Sequence, residues 1–266
     1  MPTTDAPGFR MYYELHGAGF PLLLINGLGS DHREWLYQLP AFASRFRVVV
    51  FDNRGAGDSE VPPGPYTTAG MADDAAALLA ALGLARAHVL GVSLGGMIAQ
   101  EVALRHPGRV ERLVLACTSP GGTASVRPSD EALSAFVRSP EGNAEQELRR
   151  MIPFLYTGRF AREHPGEIDA FVARRLAHPT SPEGHAAQLA AAIGHAAAER
   201  LSAVRAPTLV IAGTDDRLIP PANSQWIAQR IPGAALVLLP GAPHRLFAET
   251  AGAFNREVLA FLEARR

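Results

Sequence analysis

Six short runs of the chain are apolar at nearly every position: 21–27 (PLLLING), 46–52 (FRVVVFD), 87–92 (AHVLGV), 110–116 (VERLVLA), 207–213 (PTLVIAG) and 234–240 (AALVLLP). A strand with one wet face alternates, so continuous apolar runs of this length are expected of strands covered on both faces. Between several of them the apolar positions recur with helical spacing, as over 71–82 and 97–105. Buried strand alternating with amphipathic helix predicts the α/β class: a mostly parallel central sheet with helices on both faces. Near the start, RMYYELHGAGFP alternates and turns on glycine, which reads as an edge hairpin strand.

One interval breaks this rhythm. Over 119–203 no buried-strand pattern occurs, while helical spacing recurs over 130–138, 145–155 and 167–178, punctuated by proline and glycine. So long an interval without a strand predicts a helical cap inserted between two sheet strands. The core domain is then 1–118 together with 204–266, with the cap over 119–203.

The totals narrow the class of partner. The 266 residues carry a formal net charge of −1 and are 47% hydrophobic, enough for one large core. A near-neutral chain has no electrostatic footprint for nucleic acid or an anionic membrane. All 25 basic residues are arginines, which removes Schiff-base and lysine-nucleophile chemistry. The single cysteine, Cys117, rules out an internal disulfide and any multi-cysteine metal site, and its apolar setting reads as a buried thiol. No charged stretch followed by an apolar one marks a signal peptide at the N-terminus. No apolar run reaches the ~20 residues a membrane-spanning helix needs. A soluble, cytoplasmic protein acting on a small molecule without cofactor or metal is the expectation.

The chemistry concentrates in HVLGVSLGGMIAQ (88–100), where Gly-x-Ser-x-Gly interrupts an apolar run before helix formers resume. The motif alone is weak; a buried strand before it and a helix from about Leu94 after it supply the setting it requires. A serine on so sharp a turn sits in a strained conformation, and Gly91 and Gly95 lack the Cβ atoms that would clash with it. The helix start adds free N–H groups and partial positive charge near Ser93. A serine hydroxyl needs a base. Of nine histidines, His244 follows the last apolar run and so lies at the same sheet edge as Ser93. His88 and His106 lie at the opposite edge, and His16 falls in a turn. His164, His178, His185 and His195 fall in the insertion and read as surface residues. His32, in the loop after LLLING, is a candidate for substrate contact. The base in turn needs a carboxylate, and GTDDRLIP offers Asp215 or Asp216 on spacing alone.

LLLINGLGSD, VVVFDNRGAGDS, GVSLGGMIA, GTDDRLIP and PGAPH in this order resemble the α/β-hydrolase family over nearly the full length, and within it the chain resembles 3-oxoadipate enol-lactonases, small carboxylesterases and cofactor-free haloperoxidases or perhydrolases. The resemblance implies Ser93 as nucleophile, His244 as base and Asp216, four residues before the proline, as its acid. Asp215 would cap the turn. It implies an oxyanion hole from the main-chain N–H groups of Leu28 and Leu94. Asn26 stands where many relatives have histidine, a substitution shared with enol-lactonases; it is both a candidate substrate contact and a brace for its loop. Asp52, Asn53, Arg54 and Asp58 are expected to brace the loop behind the site. Trp35, Met97, Met151, Phe154, Leu155 and Leu246 are candidates for the walls of an acyl pocket. The implied activity is cleavage of a carboxylic ester or lactone through an acyl-enzyme. Perhydrolysis, carbon–carbon bond hydrolysis and a non-catalytic ligand receptor are the alternatives, whereas the serine at the nucleophile position disfavours dehalogenases and epoxide hydrolases of this fold.

Overall fold

The computed structural model describes residues 2–136 and 143–264. Eight strands form one sheet: β1 (Thr3–Ala6), β2 (Phe9–His16), β3 (Pro21–Ile25), β4 (Arg47–Phe51), β5 (Ala87–Val92), β6 (Val110–Ala116), β7 (Thr208–Gly213) and β8 (Ala235–Leu239). Their order is β1-β2-β4-β3-β5-β6-β7-β8. The β1–β2 and β2–β4 pairs are antiparallel, and every pairing from β4 through β3 to β8 is parallel.

The continuous apolar runs are explained by where alternate residues go. Leu23, Ile25, Val49, Phe51 and Val89 face one layer, with the helices Thr68–Ala81 and Leu94–Arg105 packed on it. Leu22, Leu24, Val48, Val50 and Leu90 face the other, against Trp35, Phe42 and Phe254. Each such fully buried side chain contributes roughly 1.5–3 kcal/mol relative to exposure, so the two-sided pattern is worth more than any local propensity.

Three expectations need correction at the sheet margins. The hairpin strand β2 is not the edge; it lies between β1 and β4, and the edge is β1, whose sequence TTDA has too little apolar content to register as a strand. His16 accordingly ends β2 instead of sitting in a turn. At the other margin β8 is not covered on both faces: Ala235 and Leu236 are exposed and the rest half-buried, because no strand lies beyond it.

Between β6 and β7 the described residues form the helices Asp130–Phe136, Ala144–Leu155, Gly158–Glu163, Pro165–Ala177 and Pro182–Ile193, with no sheet strand among them. Positions 137 and 138, the end of the helix expected over 130–138, lie outside the described residues. The helices Gly158–Glu163 and Pro182–Ile193 carry weak periodicity: the first is short, and the second is alanine-rich with little contrast between its faces. This layer has its own apolar cluster, built on Ile152, Phe154, Ile168 and Phe171, which takes in Leu218 from the loop after β7. His195, at the layer's end, is not a surface residue. It is buried, with Nδ1 3.0 Å from the Thr68 hydroxyl and Nε2 3.3 Å from Gln100 Oε1. No helix among the described residues is long and apolar enough to cross a membrane.

Candidate functional site

Ser93 stands at the junction of β5 and the helix Leu94–Arg105 with φ 54° and ψ −120°. A non-glycine residue there is strained, and the surroundings hold it in place. Its N–H donates to Ala116 O at 3.0 Å, and its carbonyl accepts from Gly96 N at 2.9 Å and from the Thr118 hydroxyl at 2.7 Å. The neighbouring glycines act differently from expectation. A Cβ on Gly91 would overlap the main chain of Gly95, and one on Gly95 would overlap the carbonyls of Ile25 and Asn26. The clash they avoid is therefore with backbone, not with the serine. They let the helix start press against β5 and the loop after β3. That loop passes so close that a Cβ on Gly27 would lie 3.3 Å from Ser93 Cβ.

His244 follows β8, and Asp216 follows β7. His244 Nδ1 lies 2.8 Å from Asp216 Oδ2, and Asp216 Oδ1 accepts from the N–H groups of Leu218 at 2.9 Å and Ile219 at 2.7 Å. An ionised carboxylate only accepts, so Nδ1 carries the proton and Nε2 is left as the ring's acceptor. The turn-capping role expected of Asp215 belongs to Asp216. Asp215 is exposed, and its carboxylate meets the adjacent Thr214 hydroxyl at 3.1 Å.

Among the described residues, two compact groups offer ligand atoms of the kind a metal takes: Cys117 with Asp216 and His244, and His32 with Asp52 and Asp58. Burial pushes the Cys117 thiol well up from its ordinary value, so it stays protonated and is a poor ligand. In the second group Asp52 already accepts from the main-chain N–H groups of His32 and Asp58 at 2.6 and 2.8 Å and faces the His32 ring at 3.0 Å. That network raises the His32 pKa although burial opposes it, through its bond to Asp52.

Ser93 and His244 line one cavity of about 70 Å³, together with Asn26, Gly27 and Leu28. Leu94 is the first residue of the helix, where the N–H groups have no intrahelical acceptor. Asn26 both lines the cavity and braces its loop: its side-chain amide donates to Asp31 O at 2.7 Å, and its carbonyl accepts from the Asn53 amide at 3.0 Å. Arg54 and Asp58 lie behind, paired with Asp74 and Arg33.

Of the candidates for the pocket walls, Met151 and Leu155 line the cavity, and five other expected substrate contacts do not. His32 is turned back onto Asp52. Trp35 is wholly buried beneath Phe247, Met97 belongs to the core under the sheet, Phe154 packs beneath Arg217, and Leu246 is wholly buried against β-sheet residues. For Leu246 the difference is a single position, since Phe247 faces the cavity in its place, while next to Phe154 the expected Leu155 does so. Leu148, Phe171, Leu218 and Arg175 are further wall residues beyond the sequence candidates. Leu148, Met151 and Leu155 share one face of the helix Ala144–Leu155, and that i, i+3, i+7 spacing was visible in the sequence.

Arg245 also lines the cavity and carried no signal in the sequence. It is buried, and its guanidinium donates to Glu34 Oε2 at 2.6 Å and to the Tyr156 hydroxyl at 2.9 Å. Burial works against charge on both members of the pair. Even so, Arg245 holds the Glu34 carboxyl below its ordinary value, and Glu34 pushes the guanidinium further up.

Comparison with known proteins agrees with this architecture. Residues 21–251 match the family described as the alpha/beta hydrolase fold. The chain is 32% identical over 98% of both chains to RutD of Azorhizobium caulinodans, named as a candidate carbamate hydrolase. The enol-lactonase of Burkholderia xenovorans LB400 superposes with a TM-score of 0.88 at 30% identity, over 99% of this chain and 100% of that one. A thermophilic esterase from Thermogutta terrifontis superposes at 0.84 with 31% identity, over 98% and 96% of the two chains. A strained serine between strand and helix, a histidine held by an aspartate at the same sheet edge, and a match spanning most of the sequence lead to one conclusion: the chain belongs to the α/β-hydrolase fold family.

Proposed function

We propose that the protein is a serine hydrolase that cleaves a small carboxylic ester or lactone through an acyl-enzyme. The observation that carries this reading is the shared cavity of Ser93 and His244, with the imidazole fixed through Nδ1 by Asp216. In the proposed cycle His244 Nε2 takes the Ser93 proton as Oγ attacks the carbonyl carbon. The N–H groups of Leu28 and Leu94 receive the negative charge that develops on the carbonyl oxygen. The alcohol or enol then leaves with the proton from His244. Water, deprotonated by the same base, releases the acid and restores Ser93. The segment 119–203 serves as the cap over the site, since its helix Ala144–Leu155 supplies the apolar wall.

The narrowness of the cavity favours short acyl groups or a small ring. The enol-lactonase and esterase neighbours support a carboxylic ester or lactone, and the RutD relatives support a carbamate as the second reading. Both place a carbonyl carbon before the same serine. The test is a panel of p-nitrophenyl acetate, butyrate and octanoate, small lactones and a p-nitrophenyl carbamate. Turnover is expected to favour the short esters and lactones and to vanish in Ser93→Ala, whose thermal midpoint stays close to wild type. Turnover of the carbamate alone would move the reading to the second class, and near-wild-type ester turnover in Ser93→Ala would end it.

A further inference from the structure

The residue after His244 ties together three segments that the chain order keeps far apart. Arg245 belongs to the loop after β8. Its partner Glu34 sits in the short 3₁₀ helix His32–Tyr37, which follows the loop carrying Asn26, Gly27 and Leu28. Its other partners come from the helical layer: the Tyr156 hydroxyl accepts from Nε, and the carbonyl of Leu155 accepts from the Arg245 N–H at 3.0 Å. The guanidinium is further enclosed by the rings of Tyr156, Phe171 and Phe247, with Cζ 5.3, 4.4 and 5.1 Å from their centroids. Both Arg245 and Glu34 are nearly removed from water, at 5% and 4% exposure.

Such burial is costly unless every charge meets a partner, and it is weak evidence of stability, because an apolar pair of similar volume often serves as well. The arginine must then be explained by what its shape does. A planar fork holds two partners in fixed directions at once, which neither a lysine nor an apolar side chain can do. Arg245 is the residue directly after His244, so fixing its main chain and guanidinium restrains the backbone that carries the imidazole. We propose that Arg245 is a positioning residue: through Glu34, Tyr156 and Leu155 it locks the His244 loop onto the loop of Leu28 and onto the helical layer, holding base and oxyanion donors in register with Ser93. This rests on the proposed serine-hydrolase reading, and Ser93→Ala serves as the control that judges that reading separately.

The experiment separates register from stability by comparing Arg245→Met with Glu34→Leu/Arg245→Met in hydrolysis of p-nitrophenyl acetate. Arg245→Met takes from buried Glu34 its hydrogen-bonded cation and leaves only the fields of Arg175 and Arg174, so its thermal midpoint drops; the double variant removes that carboxylate, so its midpoint recovers toward wild type. The kcat of both is expected to stay at least about 10-fold below wild type, with KM changed far less, as for a misplaced catalytic group. Arg245→Lys, which keeps the charge without the fork, is expected to recover only part of kcat and serves if the apolar variants do not fold. If kcat returned together with the thermal midpoint in the double variant, or if Arg245→Lys matched wild type, the positioning role would be overturned. Ser93-dependent turnover by the wild type would stand in either case.

Discussion

Two adjacent aspartates follow β7, and their surroundings could hardly differ more. Asp216 is buried and takes two main-chain N–H groups and the His244 ring; Asp215 faces water. Spacing alone left both open, because a turn residue and a triad acid look alike in sequence. What separates them is direction: in a tight turn consecutive side chains diverge, and only one can reach across to the loop after β8. Asp216→Asn presents an amide where the imidazole N–H needs an acceptor and is expected to favour the wrong tautomer, cutting kcat about 10³–10⁴-fold. Asp215→Asn is expected to change kcat less than about 3-fold. Steady-state kinetics on p-nitrophenyl acetate compare the two, and equal losses would return the question to the pair.

At the scale of elements, the parallel strands were legible because burial on both faces writes an unbroken apolar run. Ser93 was legible because glycine is forced wherever a helix start touches a strand: Gly91 and Gly95 have no room for a Cβ. The edge strand β1 was not, since four polar-leaning residues paired on one side carry no such mark. The pocket walls were half legible. Phe154 and Leu155 are equally apolar neighbours, and only the facing of the helix decides that Leu155 meets the cavity while Phe154 meets Arg217. Arg245 was invisible, because an arginine in the loop after β8 reads as solvent-facing until Glu34, 211 positions away, is brought to it. The stripe of Leu148, Met151 and Leu155 should set acyl length. Met151→Ala opens the wall, so kcat/KM for octanoate relative to acetate is expected to rise about 3- to 10-fold, reflecting roughly one to two added methylenes of contact. An unchanged chain-length profile would place the acyl chain elsewhere.

For the whole molecule, two buried histidines on opposite sides of the sheet link stability to pH. Burial lowers His88 and His195 to about 4. His88 sits between Phe20 and Phe46, and His195 hydrogen-bonds as a neutral ring to Thr68 and Gln100. Between pH 6.5 and about 4 the unfolded chain binds protons that the folded one refuses, so stability falls as pH falls, by up to about 3 kcal/mol per histidine. His32 acts with the opposite sign, but its raised pKa confines that change to pH above 6.5. Asp73 and Glu34, held low by their cationic partners, lose their contribution only below their ordinary values of 3.8 and 4.5. Asp74, raised above 3.8 by burial, acts with the opposite sign at the acid end, so the fall in stability from 6.5 toward 4.5 comes from the two histidines. The thermal midpoint is expected to drop across that range, and to drop less in His88→Phe, whose ring fits among the same aromatics. Parallel curves for the two proteins would show that His88 does not carry the effect.

The most direct measurement is acid quench of the wild type in the first moments of p-nitrophenyl acetate turnover, followed by peptide mass analysis. An acetyl group on the peptide bearing Ser93, absent in Ser93→Ala and strongly reduced in His244→Ala, is the expected result. Turnover without any acylated Ser93, or acylation that proceeds unchanged without His244, would contradict the covalent mechanism.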